Sequence, residues 1–264
     1  MARVAVGAAR AAPAIYAAAV AGLGGLLLSA RFVYVWAPVP RWVPGRDAVA
    51  AATGAVMVAA AVGLSRRRAA ARASAALAVL FSSWLLLLHV PRIVAAPSKE
   101  LLWAGGGQIA TVVAGAWILF ASGASPVEGV GRWLRGDRGV RLARSIYAAA
   151  LPLLGFHHFA DVSATASAVP AWLPLRSGWA WLTGAAHVAA GVAIFFGIAP
   201  RLAATLEAIM ISAFVVLVHV PGAIGAPADR LQWTMLVVAS VIAGAAWVVA
   251  GSYARDATLE PRAG

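Results

Sequence analysis

The sequence predicts an all-α membrane protein with eight transmembrane helices arranged as two parallel four-helix repeats. Three observations predict it. Apolar residues make up 62% of the chain against 11% charged, with a mean hydropathy of +0.86, a balance too apolar for a soluble globule and ordinary for a polytopic membrane protein. Apolar stretches near the ~20 residues that a helix needs to cross hydrocarbon recur along the chain between Pro- and Gly-containing gaps. Finally, a shift of 130 lays Pro40, Trp42, Pro44, Arg46, Thr53 and Gly54 onto Pro170, Trp172, Pro174, Arg176, Thr183 and Gly184. The same shift lays His89, Pro91, Pro97, Trp103 and Trp117 onto His219, Pro221, Pro227, Trp233 and Trp247, as a duplicated ancestral unit requires.

Taken in order, the spanning stretches fall at 14–36, 48–64, 73–90 and 101–121, then at 145–162, 178–199, 202–220 and 231–252. The first follows Arg3 and Arg10 and ends near Leu28-Ser29-Ala30, which has the outline of a cleaved signal peptide. Its counterpart argues for a retained helix instead: with a one-residue slip, Tyr16 and Pro40 match Tyr147 and Pro170, which lie mid-chain. Pro38, Pro40 and Pro44 close the first stretch, and Pro170, Pro174, Pro200 and Pro221 punctuate the second half. Residues 1–126 form the first repeat, 127–144 a basic Gly- and Arg-rich linker, 145–254 the second repeat and 255–264 a tail.

Basic residues orient the bundle. With the N-terminus inside, 14 of the 21 Lys and Arg residues fall on the cytoplasmic side and seven on the other, so both termini are expected in the cytoplasm of a cell-membrane protein. The opposite face then collects Trp36, Trp42, Trp103, Trp172, Trp179, Trp181 and Trp233, with Arg31 extending towards it, the belt expected at a membrane–water boundary. Each unit has an even number of spans, so the halves face the same way. The formal charge of +12 sits in short loops without an aromatic-interleaved patch, which excludes nucleic acid and leaves the bilayer as the partner. The absence of cysteine excludes disulfides, thiolate metal sites and cysteine-ligated clusters.

The duplication sorts the polar residues. What both copies keep is architecture, and polar groups found in one copy are the functional candidates. Ionisable side chains within a span are costly, and the second half holds most of them: His157, His158, Asp161, His187, Glu207 and His219. The first half places Leu26–Leu28 opposite the histidine pair, Met57 opposite His187 and Leu77 opposite Glu207. Only His89 and His219 are shared, and capping of helix-end carbonyls competes with a ligand role for both.

At about 1.5 Å of rise per residue, His158 lies roughly 20 Å and Asp161 roughly 24 Å up the fifth helix, and His187 roughly 13 Å below the outer end of the sixth. These groups and His219 therefore share an outer-half layer. His158 and Asp161, three apart, lie on one helix face. Glu207 is expected apart from them, paired with Arg201 or Arg144 near the cytoplasmic face. His158, Asp161 and His187 are the catalytic candidates, and His157, Trp181 and His219 the cofactor-binding ones. HExxH, GxSxG, a phosphate-cradling glycine loop and a di-iron ExxH pair are all missing. Imidazole and carboxylate suit iron or zinc, but no spacing demands them, and neither metal nor haem is assigned.

The string Gly155-Phe156-His157-His158-Phe159, the loop Val169-Pro170-Ala171-Trp172-Leu173-Pro174 and the stretches Leu182-Thr183-Gly184-Ala185-Ala186-His187 and Arg201-Leu202-Ala203-Ala204 resemble the DoxX/DoxD-like membrane proteins. The motifs cover nearly all of the second repeat. The first keeps the loop and Thr53-Gly54 but has Arg31-Phe32 in place of His-Phe. The resemblance implies a four-helix membrane unit related to a subunit of thiosulfate:quinone oxidoreductase and to membrane parts of redox-protective complexes. It implies a quinone as cofactor and a soluble or membrane redox protein as partner, with His158 and His187 shuttling protons, Asp161 orienting His158 and Trp181 packing the quinone ring. One departure stands out: His187 occupies the place of the family's helix glutamate, although histidine also exchanges a proton near neutral pH. The alternative is a noncatalytic scaffold or small-solute carrier whose polar layer only holds helices together.

Overall fold

A computed structural model of the protein describes residues 2–29, 38–123 and 133–259. Among them the regular structure is entirely helical, as the composition predicts. In chain order the helices are α1 (Ala2–Leu28), α2 (Arg46–Leu64), α3 (Ala70–Trp84), α4 (Val90–Ala95), α5 (Glu100–Ala121), α6 (Gly136–Ala160), α7 (Val162–Ala168), α8 (Arg176–Phe196), α9 (Pro200–Phe214), α10 (Val220–Gly225) and α11 (Arg230–Leu259). Seven helical segments are long and apolar enough to cross a membrane: Arg10–Leu28, α2, Ala70–Ala95, α5, α8, Pro200–Gly225 and Arg230–Tyr253. The protein is therefore a multi-pass helical membrane protein. Seven segments qualify rather than the eight expected, because α6, although 25 residues long, carries Arg138, Arg141, Arg144, His157 and His158.

Several boundaries differ from the sequence expectation. Helix α1 begins at Ala2 and ends at Leu28; Arg31 and Trp36 lie outside the described residues. The segment read as a linker, 127–144, is helical from Gly136 onwards, its residues 127–132 lying outside the described ones. Helix α11 passes the expected tail boundary and runs to Leu259. The prolines expected to end the third and seventh spans do not end them. Instead one π-helical turn, Leu85–His89 in the first half and Val215–His219 in the second, precedes Pro91 and Pro221, and the helix continues to Ala95 and Gly225. A wide turn is a physical answer to proline, whose ring clashes with the preceding turn and whose nitrogen has no hydrogen to donate.

Packing closes the helices into one ring. Helix α1 touches α2 and α11; between them α2 meets α3, α3 meets α5, α5 meets α6, α6 meets α8, α8 meets α9 and α9 meets α11. Helices α5 and α11 also meet each other and are the most deeply buried spans. Helix α1 belongs to this core, with Tyr16, Val20, Leu23 and Leu27 fully buried. Helix α6, between α5 and α8, fills the same kind of place as its neighbours.

Polar groups kept in both halves do matching structural work. The Trp103 indole donates to the Pro97 carbonyl and the Trp233 indole to the Pro227 carbonyl, both at 2.9 Å. Arg46 donates to the carbonyl of Val39 at 3.2 Å and Arg176 to that of Val169 at 3.0 Å, folding each proline loop back onto the helix that follows. One matched position diverges. Gly45 has a left-handed φ of 61°, and Leu175 in the second half adopts φ 55° with a branched side chain. A left-handed residue with a Cβ costs about 1–2 kcal/mol. Leu175→Gly is therefore expected to stabilise the protein by about 1 kcal/mol, read as a higher midpoint of thermal unfolding in detergent. A lowered midpoint would contradict it.

Candidate functional site

The site begins with two glycines. Helices α6 and α8 cross so closely that a Cβ on Gly155 would lie 2.5 Å from the Gly184 carbonyl oxygen and 3.3 Å from the Cβ of His187. A Cβ on Gly184 would lie 3.0 Å from the Cβ of His158. Each glycine thus faces the histidine of the other helix, and the two imidazoles are brought together with centroids 5.1 Å apart and planes at 89°. The first half builds the same crossing with apolar contents. A Cβ on Gly24 would lie 3.0 Å from that of Met57, and one on Gly54 3.0 Å from that of Leu27. The crossing is shared architecture, and the imidazoles are what the second half adds.

Hydrogen bonds orient the rings. The His187 Nδ1 lies 2.6 Å from Glu207 Oε1 of α9, in a pair with both side chains buried. The carboxylate accepts from Nδ1–H, leaving His187 Nε2 as the second proton site. His158 Nδ1 lies 2.8 Å from Thr183 Oγ1, whose own hydroxyl donates to the Trp179 carbonyl at 2.8 Å. A hydroxyl has one hydrogen, so Thr183 accepts from His158 Nδ1–H, which leaves Nε2 as the second proton site of a ring that lines both cavities. Half-buried His157 pairs through Nδ1 with Glu100 Oε2 of α5 at 2.9 Å. Phe214 packs 6.2 Å from the His158 ring and 6.1 Å from that of His187.

Two cavities meet on these rings. The smaller, of 150 Å³, is walled by His157, His158, His187 and His219 with Gln108, Phe214 and Met235. The larger, of 520 Å³, runs from His157, His158 and His219 between apolar walls that include Val169, Pro170, Trp172, Leu173, Trp179 and Leu217. The three histidines expected in one layer, His158, His187 and His219, therefore line a common space together with His157, while Asp161, expected in the same layer, does not; the second cavity is large enough for the head group of a lipophilic molecule.

Three expected placements need correction. Asp161 does not orient His158. The helix stops at Ala160, and the Asp161 carboxylate caps α7, accepting from the Ala164 N–H and the Ser163 hydroxyl at 2.9 Å each; the amide donor holds it below the ordinary carboxylate range. Trp181 lies outside both cavities and stacks on Phe159 at 5.1 Å, while Trp172 and Trp179 supply the aromatic wall. Glu207 pairs with neither Arg201 nor Arg144; it is the buried partner of His187, and Arg144 donates to the Ser252 hydroxyl instead. His219 lines both cavities and, among the described residues, caps no helix-end carbonyl, whereas His89 is buried beside Gly105. Sequence reasoning also passed over Glu100 and Thr183. Thr183 carried no signal because both copies keep it, and Glu100 none because it lies at the start of a span. Against protein-family models, curated proteins and solved structures, the chain has no match.

Proposed function

We propose that the protein is a DoxX-like, eight-span protein of the cell membrane, built as two parallel four-helix repeats with both termini cytoplasmic. Its activity is that of the membrane subunit of a quinone-linked oxidoreductase system. Three features support the architecture. Helix α6 has a ring position between two spans and, at about 37 Å for 25 residues, exceeds the roughly 30 Å of hydrocarbon. The π turns, proline loops and glycine crossings recur 130 or 131 residues apart. An even number of spans agrees with the basic residues gathered on the side of the termini.

The observation that carries the function is an apolar cavity of 520 Å³ floored by His157 and His158, with the His187–Glu207 pair directly behind. A quinone head group needs this combination: an aromatic-walled slot for the ring and a positioned group that exchanges a proton at the ring oxygen. Reduction of one quinone takes two electrons and two protons. His158 Nε2 meets the head-group oxygen and exchanges the proton there, and His187 refills it. Electrons come from a partner redox protein, since the chain has no cysteine from which to build a thiolate centre. The glutamate expected at position 187 is in effect relocated: Glu207 supplies the carboxylate from the next helix.

Quenching of Trp172 and Trp179 fluorescence in nanodiscs measures quinone binding directly. Wild type is expected to bind saturably, with His158→Ala about ten-fold weaker, the ~1.4 kcal/mol of a well-made hydrogen bond. Equal binding by wild type and His158→Ala, or none by either, would reject the quinone site and leave the scaffold or solute carrier.

A further inference from the structure

Among the described residues, two buried oxygen atoms of the second half have no hydrogen-bond partner: Glu207 Oε2 and the Tyr147 hydroxyl. Both residues are fully enclosed, and Tyr147 lies within electrostatic reach of Glu207. The first half again provides the comparison. Its counterpart, Tyr16, is equally buried and donates to the Val112 carbonyl at 3.1 Å, so the tyrosine there is a helix tie. In the second half the hydroxyl is released from that bond and the apolar Leu77 position has become Glu207. A buried polar atom left unpaired in a low-dielectric interior is costly, and two near each other call for a common explanation.

These groups lie in a column. From the larger cavity it runs through His158 to His187, to Glu207 and then to Tyr147. One turn below Tyr147 on α6, Arg144 donates to the buried Ser252 hydroxyl at 2.8 Å. From His158 to Arg144 is 14 residues of α6, or about 21 Å of the roughly 30 Å hydrocarbon thickness. The 150 Å³ cavity beside His158 and His187, polar on one side through Gln108 and His219, has room for several waters at about 30 Å³ each.

We propose that this column is a transmembrane proton path, in which the His187–Glu207 pair passes protons between the histidine cavity and the Arg144–Ser252 layer by way of the Tyr147 hydroxyl. A proton taken up at His158 Nε2 leaves from the same nitrogen to cavity water, because Nδ1–H stays bound to Thr183. Through cavity water a proton reaches His187 Nε2, and His187 hands its Nδ1 proton to Glu207 Oε1. The carboxyl, now carrying that proton, turns about its Cγ–Cδ bond and delivers the same proton through water on the side of the Tyr147 hydroxyl, which restores the carboxylate. His187, left with its proton on Nε2, regains one on Nδ1 by a ring flip that turns Nδ1 to cavity water while Nε2 gives up its own, so charge moves without any net chemistry. The path does not depend on a quinone occupying the outer cavity.

Quinone-free proteoliposomes enclosing a pH-sensitive dye, driven by a potassium diffusion potential with valinomycin, test this apart from the quinone site. Wild type is expected to acidify the lumen faster than protein-free vesicles. Tyr147→Phe and Glu207→Gln should each slow the flux at least about ten-fold, the scale of losing one link in a proton relay. Tyr16→Phe should leave it unchanged. Dicyclohexylcarbodiimide, which reaches carboxyl groups from lipid, should modify Glu207 by mass spectrometry and block the flux. Tyr147→Phe removes a single oxygen and keeps the packing, so it decides the matter if Glu207→Gln does not fold. Wild-type flux no faster than protein-free vesicles, or undiminished flux in folded Tyr147→Phe, would overturn the path.

Discussion

Replacing His187 alone with methionine is expected to cost about 3–5 kcal/mol, the loss that follows when one partner of a buried charged pair is removed and the other is stranded. The pair is a clear candidate for so large a loss, with 2.6 Å between Nδ1 and Oε1 and both side chains enclosed. Glu207→Leu alone should cost less, about 1–3 kcal/mol, because it leaves an unpaired imidazole N–H rather than an unpaired carboxylate. The double variant His187→Met with Glu207→Leu should return close to wild-type stability. It installs the Met57 and Leu77 pair that the first half already packs with no exposure, and apolar replacement of a complete buried pair is often neutral or stabilising. Thermal unfolding of the four proteins in one detergent gives the coupling energy directly. Additive single effects would mean that the pair is not coupled, whereas recovery of stability without recovery of quinone binding would separate its functional role from its structural one.

How far the sequence could be read depends on the distance over which each signal acts. Composition and hydrophobic length act within a single segment, so the helices were legible but not all of their ends: α1 and α6 begin at Ala2 and Gly136, well before the stretches read for them. The 130-residue shift compares whole units, and it marked the positions where the copies differ; Leu27, Met57 and Leu77 against His158, His187 and Glu207 are the layer in which the structure finds its polar contacts. Rise per residue then put the imidazoles of His158, His187 and His219 at a similar depth, and they do line one cavity, which Asp161, counted into the same layer, does not. Asp161 failed because a local capping bond to the Ala164 amide competes with continuation of α6, and three-residue spacing means a shared face only where the helix persists.

Glu207 failed for a different reason. Counted from the α8–α9 turn, His187 sits nine residues above Phe196 and Glu207 seven above Pro200, roughly 14 and 10 Å, so a glutamate side chain bridges the difference. Which faces of α8 and α9 meet is a packing fact that no single helix records. The π turns escaped notice too: proline predicts an interruption, but whether the chain leaves the helix or widens by one residue depends on the neighbouring helix holding both ends.

Gly155→Ala should produce the other large effect. The new methyl would sit 2.5 Å from the Gly184 carbonyl oxygen and 2.7 Å from a Val188 methyl, and the carbonyl, fixed in the α8 hydrogen-bond ladder, has no rotamer in which to retreat. Helices α6 and α8 must therefore separate, at an expected cost of about 2–3 kcal/mol or more. Gly25→Ala meets nothing within 4 Å and adds only helix propensity, so it should be neutral or stabilising by up to about 1 kcal/mol. The informative comparison is Gly24→Ala, the first-half counterpart of Gly155, where the methyl would lie 2.8 Å from the Gly54 carbonyl oxygen. Both crossings are the same joint, so both variants should lower the unfolding midpoint. Only Gly155→Ala should also weaken quinone binding, because only there do the parted helices carry His158 away from His187. A Gly24→Ala protein that lost binding to the same degree would show that ligand affinity simply follows overall stability, and the division between a structural half and a functional half would fall with it.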